Sequence, residues 1–239
     1  MAHFESPFKR DPAERPVTKA MLLAAGRGER MAAHTESLPK PLLNVAGKPL
    51  ITRNLEALAL AGIREIVVNV AYRGEMIRQA LGDGSAYGVT IRYSDEGAQA
   101  LETAGGIIHA LPLLGTEPFV VVSADVVHDV DVAALGLSPG RLGQLVLVPN
   151  PPHHPRGDFG LTVRAALTLA PPRLTFAGIG LLDPSLFVGV APGPRPLRDI
   201  LRPAIARGEL TGYQHRGLWI DVGTPARLRV AAELLARLR

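Results

Sequence analysis

Between residues 20 and 93 short apolar runs alternate with stretches of helical spacing, and this alternation restricts the fold more than any other feature of the chain. Residues 20–23 (AMLL) predict a strand that runs into Gly26 and Gly28. Pro49 predicts the start of a helix with Leu50, Ile51, Leu55 and Leu58 on one face, and Gly62 its end. Residues 66–70 predict an apolar strand, 74–81 a helix, GDGSAYG a turn and 89–93 a third strand. The order β, α, β, α, β implies an α/β fold with a Rossmann-like, mostly parallel central sheet flanked by helices.

Further along, residues 103–111 predict a helix beginning at the pair Gly105 and Gly106, and residues 119–123 a buried strand leading to Asp125. From 139 to 172 the pattern loosens into loops rich in proline and glycine, such as PNPPHHPRGDFG. A strand at 174–182 and helices at 196–207 and 225–238 follow, the last with Leu228, Ala231, Leu234, Leu235 and Leu238 on one face. With no repeat and no linker, the 239 residues predict a flexible tail at 1–17 and one domain at 18–239.

Composition removes several classes of function. No apolar run approaches the roughly 18 residues that span a bilayer, and the first seventeen residues carry no apolar signal-peptide stretch. The absence of cysteine excludes disulfides, thiolate metal sites and a cysteine nucleophile, and it fits a cytoplasmic location. A net charge of +4 allows an anionic ligand, yet the basic residues are mostly scattered arginines, so neither a nucleic acid nor a membrane is expected as a partner. Lysine occurs at only four positions, 9, 19, 40 and 48, which makes Lys40 beside the glycine loop conspicuous.

That loop, AAGRGERM, lacks the third glycine of a dinucleotide fingerprint and the GK[ST] of a P-loop. It still suits phosphate: Gly26 and Gly28 let backbone amides approach an anion, while Arg27, Arg30 and Lys40 bring positive charge to the C-terminal edge of the first strand. A triphosphate fits this better than a dinucleotide. The alternative is a tight turn with solvated arginines.

LAAGRGERM followed by LPKPLLNVAGKPLI resembles the signature of the sugar-1-phosphate nucleotidyltransferases, and the likeness extends through LETAGGI, Asp125, NPPHHPRGDFGLT, LTFAGIGLL and LWIDVGTPARL. Within that family the chain is similar to the N-acetylmuramate α-1-phosphate uridylyltransferases of peptidoglycan recycling, which share HHPxGDF and WxDVGT. The resemblance implies a nucleotide-diphospho-sugar transferase fold and transfer of UMP from UTP to a sugar 1-phosphate with release of pyrophosphate. It implies Lys40 and Arg30 as catalytic residues, and Gly26, Gly28, Glu29, Arg30, Lys40, Thr103, Gly105, Gly106 and Ser123 around the nucleotide. Asp125 and Asp221 would share Mg²⁺, Asp158 and His154 would face the sugar, and the enzyme would be a monomer or weak homodimer. GTP with mannose 1-phosphate, dTTP with glucose 1-phosphate, and a non-catalytic nucleotide-sugar-binding relative are the alternatives. The likeness departs at Ser123-Ala124-Asp125, where the family usually has NGD, and at Ala32, where arginine is common.

Apart from the family, Asp125 follows FVVVSA and Asp221 follows LWI, so each carboxylate is expected at the end of a buried strand, where α/β ligands bind. Mg²⁺ takes oxygen ligands at about 2.1 Å and often uses one or two carboxylates plus substrate phosphates. His153 and His154 predict a solvated loop, and of His128, Asp129 and Asp131 the last is expected to cap a helix at 132–135. No nucleophile motif is present. A phosphate oxygen attacking phosphorus needs none, because alignment and charge neutralisation carry such a step.

Overall fold

The computed structural model describes residues 17–28, 30, 31, 35, 37–98 and 100–238. The expected tail lies outside them except for Val17, as do Glu29 and Ala32. In chain order, β1 (Lys19–Leu23) is followed by β2 (Asn44–Val45), β3 (Lys48–Pro49), α1 (Leu50–Leu60), β4 (Glu65–Val70), α2 (Gly74–Leu81), β5 (Thr90–Asp95), α3 (Glu102–Leu114), β6 (Phe119–Ser123) and β7 (Val126–His128). The rest comprises β8 (Gly143–Val148), β9 (Phe159–Leu161), β10 (Leu167–Thr168), β11 (Arg173–Leu182), α4 (Arg198–Ala206), β12 (Leu210–Gln214), β13 (Trp219–Asp221) and α5 (Pro225–Arg237).

The expected α/β sheet is present and mixed. β1 lies between β4 and β6, and β4 pairs with β5, all parallel. β11 then runs antiparallel to β6, β8 and β9, and β12 pairs parallel with β8. Both faces of the sheet are covered, so its central strands are apolar at successive positions rather than alternating. Ala20, Leu22, Val120 and Val122 pack on one face with Ile51, Leu55 and Leu58 of α1 and Ile77 of α2. Met21 and Val121 pack on the other with Ile107 and Ala110 of α3 and Leu201 and Ala204 of α4.

The short strands β2, β3, β9, β10 and β12 lie where no strand is expected, and β8, α3 and β13 also depart from expectation. β8 is fully buried along its length, although it falls in the stretch that reads as loops, because its pairing partners β11 and β12 are remote in sequence. Helix α3 starts at Glu102, so Gly105 and Gly106 lie buried inside it rather than at its start. Asp221 does not end a strand of the main sheet. Among the described residues β13 pairs with β7 alone, as a two-stranded antiparallel ribbon, and its residues are half-buried.

The ribbon is tied down at a bulge in β11. The register of β11 against β8 shifts between Phe176 and Gly180, which takes the Ala177 carbonyl out of the regular ladder, and the Trp219 indole N–H donates to it at 2.9 Å. Gly178 within the bulge has φ +73°, and a Cβ there would stand 2.5 Å from Ser123 Oγ, so both conformation and space require glycine.

Candidate active site

A cavity of about 630 Å³ opens at the C-terminal ends of β1, β4 and β6. Its lining includes Gly26, Arg27, Gly28, Arg30, Lys40, Thr103, Ser123 and Asp125, which are distributed along the chain and meet only through the fold.

The first wall is the glycine loop. Where β1 ends, the Ala24 N–H donates to Asn69 Oδ1 at 2.7 Å instead of to a strand neighbour. Gly28 has φ +68°, and a Cβ there would come within 2.9 Å of Lys40 Cβ, so the loop can press on the lysine stem only with glycine. Lys40 sits in a single helical turn, Lys40–Leu42, between Pro39 and Pro41. It is buried, and its amine pairs with Asp125 Oδ2. Arg27 and Arg30 are exposed, and Arg30 reaches toward Gly223.

Asp125 occupies the turn between β6 and β7. The turn is held from below by buried Asn54 of α1, whose amide donates to the Val126 carbonyl at 3.1 Å and the Ala124 carbonyl at 3.4 Å. Ala124 is buried and is not among the residues with positive φ, so alanine adds no backbone strain here. Asp221 is brought alongside by the ribbon: it stands opposite Val126, and the next amide, Val222 N–H, donates to the Asp125 carbonyl at 2.8 Å.

Asp221 is held by two basic side chains. His153 Nε2 lies 3.1 Å from Oδ1, and Arg227 donates from Nε to the Asp221 carbonyl at 2.9 Å. A second Arg227 nitrogen stands 3.1 Å from Oδ2 without the alignment of a hydrogen bond. Sequence reasoning places His153 in a solvated loop and gives Arg227 no role; the nearby WxDVGT pattern is the one signal that bears on either. The two aspartates fit Mg²⁺ in donor chemistry. Among the described residues there is no cluster of three or more acidic, histidine or cysteine side chains, and of the two aspartates only Asp125 lines the cavity.

The third wall is the start of α3. Thr103 lines the cavity, and Glu102 beside it has φ +55°, a conformation that side chains other than glycine rarely adopt. The Arg195 carbonyl accepts from Ala104 N–H at 2.9 Å and Gly105 N–H at 3.2 Å, satisfying the open helix end. Gly105 and Gly106 are buried behind Thr103 and are not part of the cavity lining.

Asp158 and His154 lie outside that lining. Asp158 Oδ2 accepts from Phe176 N–H at 2.8 Å, and Oδ1 faces His154 Nε2 at 3.1 Å. Asn150 extends the same anchorage, donating to the Arg173 carbonyl at 2.9 Å and accepting from Thr175 Oγ1 at 2.9 Å. The loop is thus pinned to β11 by the side chains that define its sequence pattern.

The cluster at 128–131 is structural. Burial pushes the His128 pKa down to about 4, and its neutral Nδ1 accepts from Val130 N–H at 3.1 Å. Asp129 pairs with His215 at 2.7 Å, and Asp131 caps the turn Val132–Ala134 through Ala133 N–H at 3.1 Å, as expected.

With this geometry in place, comparison with known proteins is decisive. Residues 19–165 match the family model described as nucleotidyl transferase. The chain belongs to the nucleotidyl transferase family. This nucleotidyltransferase is 50% identical over 226 residues to the N-acetylmuramate alpha-1-phosphate uridylyltransferase of Neisseria meningitidis serogroup B, covering 90% of this chain and 97% of that one. It is 35% identical over 232 residues to the protein of the same name in Caulobacter vibrioides, covering 90% and 95% of the two chains. Among solved structures, a putative glucose-1-phosphate thymidylyltransferase from Bacillus anthracis superposes with TM-score 0.79 over 90% of this chain and 94% of that one. At 23% identity that likeness speaks for the fold alone.

Proposed function

We propose that this nucleotidyltransferase uses Mg²⁺ and transfers UMP from UTP to N-acetylmuramic acid α-1-phosphate, releasing pyrophosphate. The observation that carries the reading is the pairing of the Lys40 amine with Asp125 in the cavity beside the glycine loop; the backbone bond of 2.8 Å from Val222 N–H to the Asp125 carbonyl supports a role for the neighbouring Asp221. Half-identity to the Neisseria uridylyltransferase across nearly all of both chains supports this choice of nucleotide and sugar.

In this reading the loop from Gly26 to Arg30 wraps the triphosphate, with Arg30 on its outer side. Thr103 and Ser123 lie along the nucleoside. Lys40 has three N–H donors, of which Asp125 takes one, leaving two for the α-phosphate and the incoming sugar phosphate. Asp125 and Asp221 hold Mg²⁺, which when bound neutralises phosphate charge. A sugar phosphate oxygen attacks the α-phosphorus in line, a new P–O bond forms, the bond to the β-phosphate breaks and pyrophosphate leaves. No proton need be removed from that oxygen, which agrees with the absence of a nucleophile motif. Asp158 and His154 shape the loop that receives the sugar. The chain then acts in peptidoglycan recycling in the cytoplasm, as a monomer or weak homodimer.

The test is a pyrophosphate-release screen of several nucleoside triphosphates against a panel of sugar 1-phosphates with Mg²⁺. UTP with the muramate is expected to give the highest kcat/KM. Turnover with a hexose phosphate but not the muramate would overturn the substrate, and no turnover with any pair would overturn the catalytic reading.

A further inference from the structure

We infer that Asn69 and Glu96 are positioning residues that lock the glycine loop to the loop before α3, so that the two segments bind a nucleotide as one unit. The inference rests on the nucleotide-binding reading above and deepens it. Asn69 lies near the end of β4 and Glu96 just beyond β5, on adjacent parallel strands. Both line the cavity, yet both side chains are buried, with residue exposures of 4% and 9%.

The bonds converge on the Glu96 carboxylate. Ala24 N–H needs an acceptor, so Asn69 turns Oδ1 to it at 2.7 Å, and this leaves Nδ2 to donate to Glu96 Oε1 at 2.6 Å. Glu96 Oε2 accepts from Leu101 N–H at 3.2 Å. Ala24 opens the glycine loop and Leu101 directly precedes α3 with its Thr103. Two side chains therefore join two loops that share no strand pairing.

Gly106 belongs to the same device. A Cβ at this position would run into Glu96 Oε1 and lie 3.0 Å from Asn69 Nδ2, so α3 can close over the bridge only with glycine. A bridge built merely for stability would not need a buried carboxylate, whose desolvation is costly unless its oxygens are satisfied. What the carboxylate adds is two acceptor oxygens in fixed geometry, aimed at donors on two different segments.

The test is a charge-conserving swap. Asn69→Asp alone sets two carboxylates against each other, and Glu96→Gln alone sets a donor against a donor. In the double variant the carboxylate now at position 69 accepts from Ala24 N–H and from the amide now at position 96. The carbonyl oxygen of that amide accepts from Leu101 N–H, so the link between the two side chains is remade with its sense reversed. UTP affinity with Mg²⁺, read by calorimetry, is expected to weaken about tenfold in each single variant and to return to within about threefold of the parent in the double. KM for the sugar 1-phosphate should stay nearly constant throughout. Amide exchange at Ala24 and Leu101, measured without ligand, should quicken in the singles and slow again in the double. Unchanged UTP affinity and amide exchange in the singles, or a double variant no better than the worse single, would overturn the inference. Failure of the parent protein to use any sugar phosphate would instead count against the proposed function, since the ligand-free exchange cycle is independent of turnover.

Discussion

On the side of the sheet formed by β5, β4, β1 and β6, the cavity-facing residues follow the ends of parallel strands: Ala24 after β1, Asn69 on β4, Glu96 after β5, Ser123 and Asp125 at β6. On the side of β11 and β13 the candidate residues hang on cross-links instead. Asp158 is fixed by Phe176 N–H, Asp221 by Arg227 and His153, and the ribbon by the Trp219 bond to the β11 bulge. The first arrangement depends on strand order and short local signals; the second depends on single side-chain bonds between remote segments. Damage to the first should remove nucleotide binding and chemistry, and damage to the Asp158 loop on the second should loosen the sugar while leaving the nucleotide in place.

The largest effects are expected at the junction of the two. Lys40→Met keeps the stem that packs on Gly28 but removes the charge, and kcat should fall by about 10²-fold or more, as for loss of a donor aimed at developing negative charge. Asp125→Asn should match it. Because the Asp125 side chain is 36% exposed and can be solvated once unpaired, Lys40→Met should cost no more than about 1 kcal/mol through loss of the ion pair itself, which thermal unfolding would check.

Next comes a pH effect remote from the nucleotide. His128 is held neutral in the fold with its pKa lowered from 6.5 to about 4, so it takes up its proton more readily when the chain is unfolded. Its contribution is fully present above about pH 6.5 and is lost as pH falls toward 4, amounting to roughly 3 kcal/mol. His128→Asn keeps an acceptor for Val130 N–H, and denaturant unfolding between pH 7 and 4 should show a flatter loss of stability in the variant than in the parent.

On the cross-linked side, Asp158→Ala leaves Phe176 N–H without its partner and should lower stability by about 1–3 kcal/mol. KM for the sugar 1-phosphate should rise with that for UTP little changed. Trp219→Phe removes only the indole donor to the bulge and should lower stability by about 1 kcal/mol, and because the same strand carries Asp221, KM for UTP with Mg²⁺ should rise with it. A rise in KM for UTP in the Asp158 variant, measured by steady-state kinetics, would erase the distinction between the two sides.

The same contrast governs what could be read in the sequence. Strands β1, β4, β5 and β6 and helices α1 to α5 announce themselves by period, glycine and proline, and the glycine loop with Lys40 announces phosphate chemistry. GQLVLV in β8 carries a strand signal, but it lies among proline and glycine loops and pairs with segments far along the chain. Asn54, Asn69 and Glu96 are single polar residues in apolar surroundings, and no local pattern shows that their bonds reach across 27 to 72 positions. Asp221 is legible as an acid after an apolar run but not as part of a ribbon, because the partner strand β7 is only three residues long.

In the proposed reaction a sugar phosphate attacks the α-phosphorus of a nucleotide held by Lys40 and by Mg²⁺ on the two aspartates. Phosphorus NMR of the protein with UTP, N-acetylmuramic acid α-1-phosphate and Mg²⁺ tests it directly. The triphosphate signals are expected to give way to a diphosphate diester and pyrophosphate in equal amounts, and Asp125→Asn is expected to abolish this conversion. Triphosphate signals that persist with the parent protein, or that decay to UDP and inorganic phosphate, would contradict it.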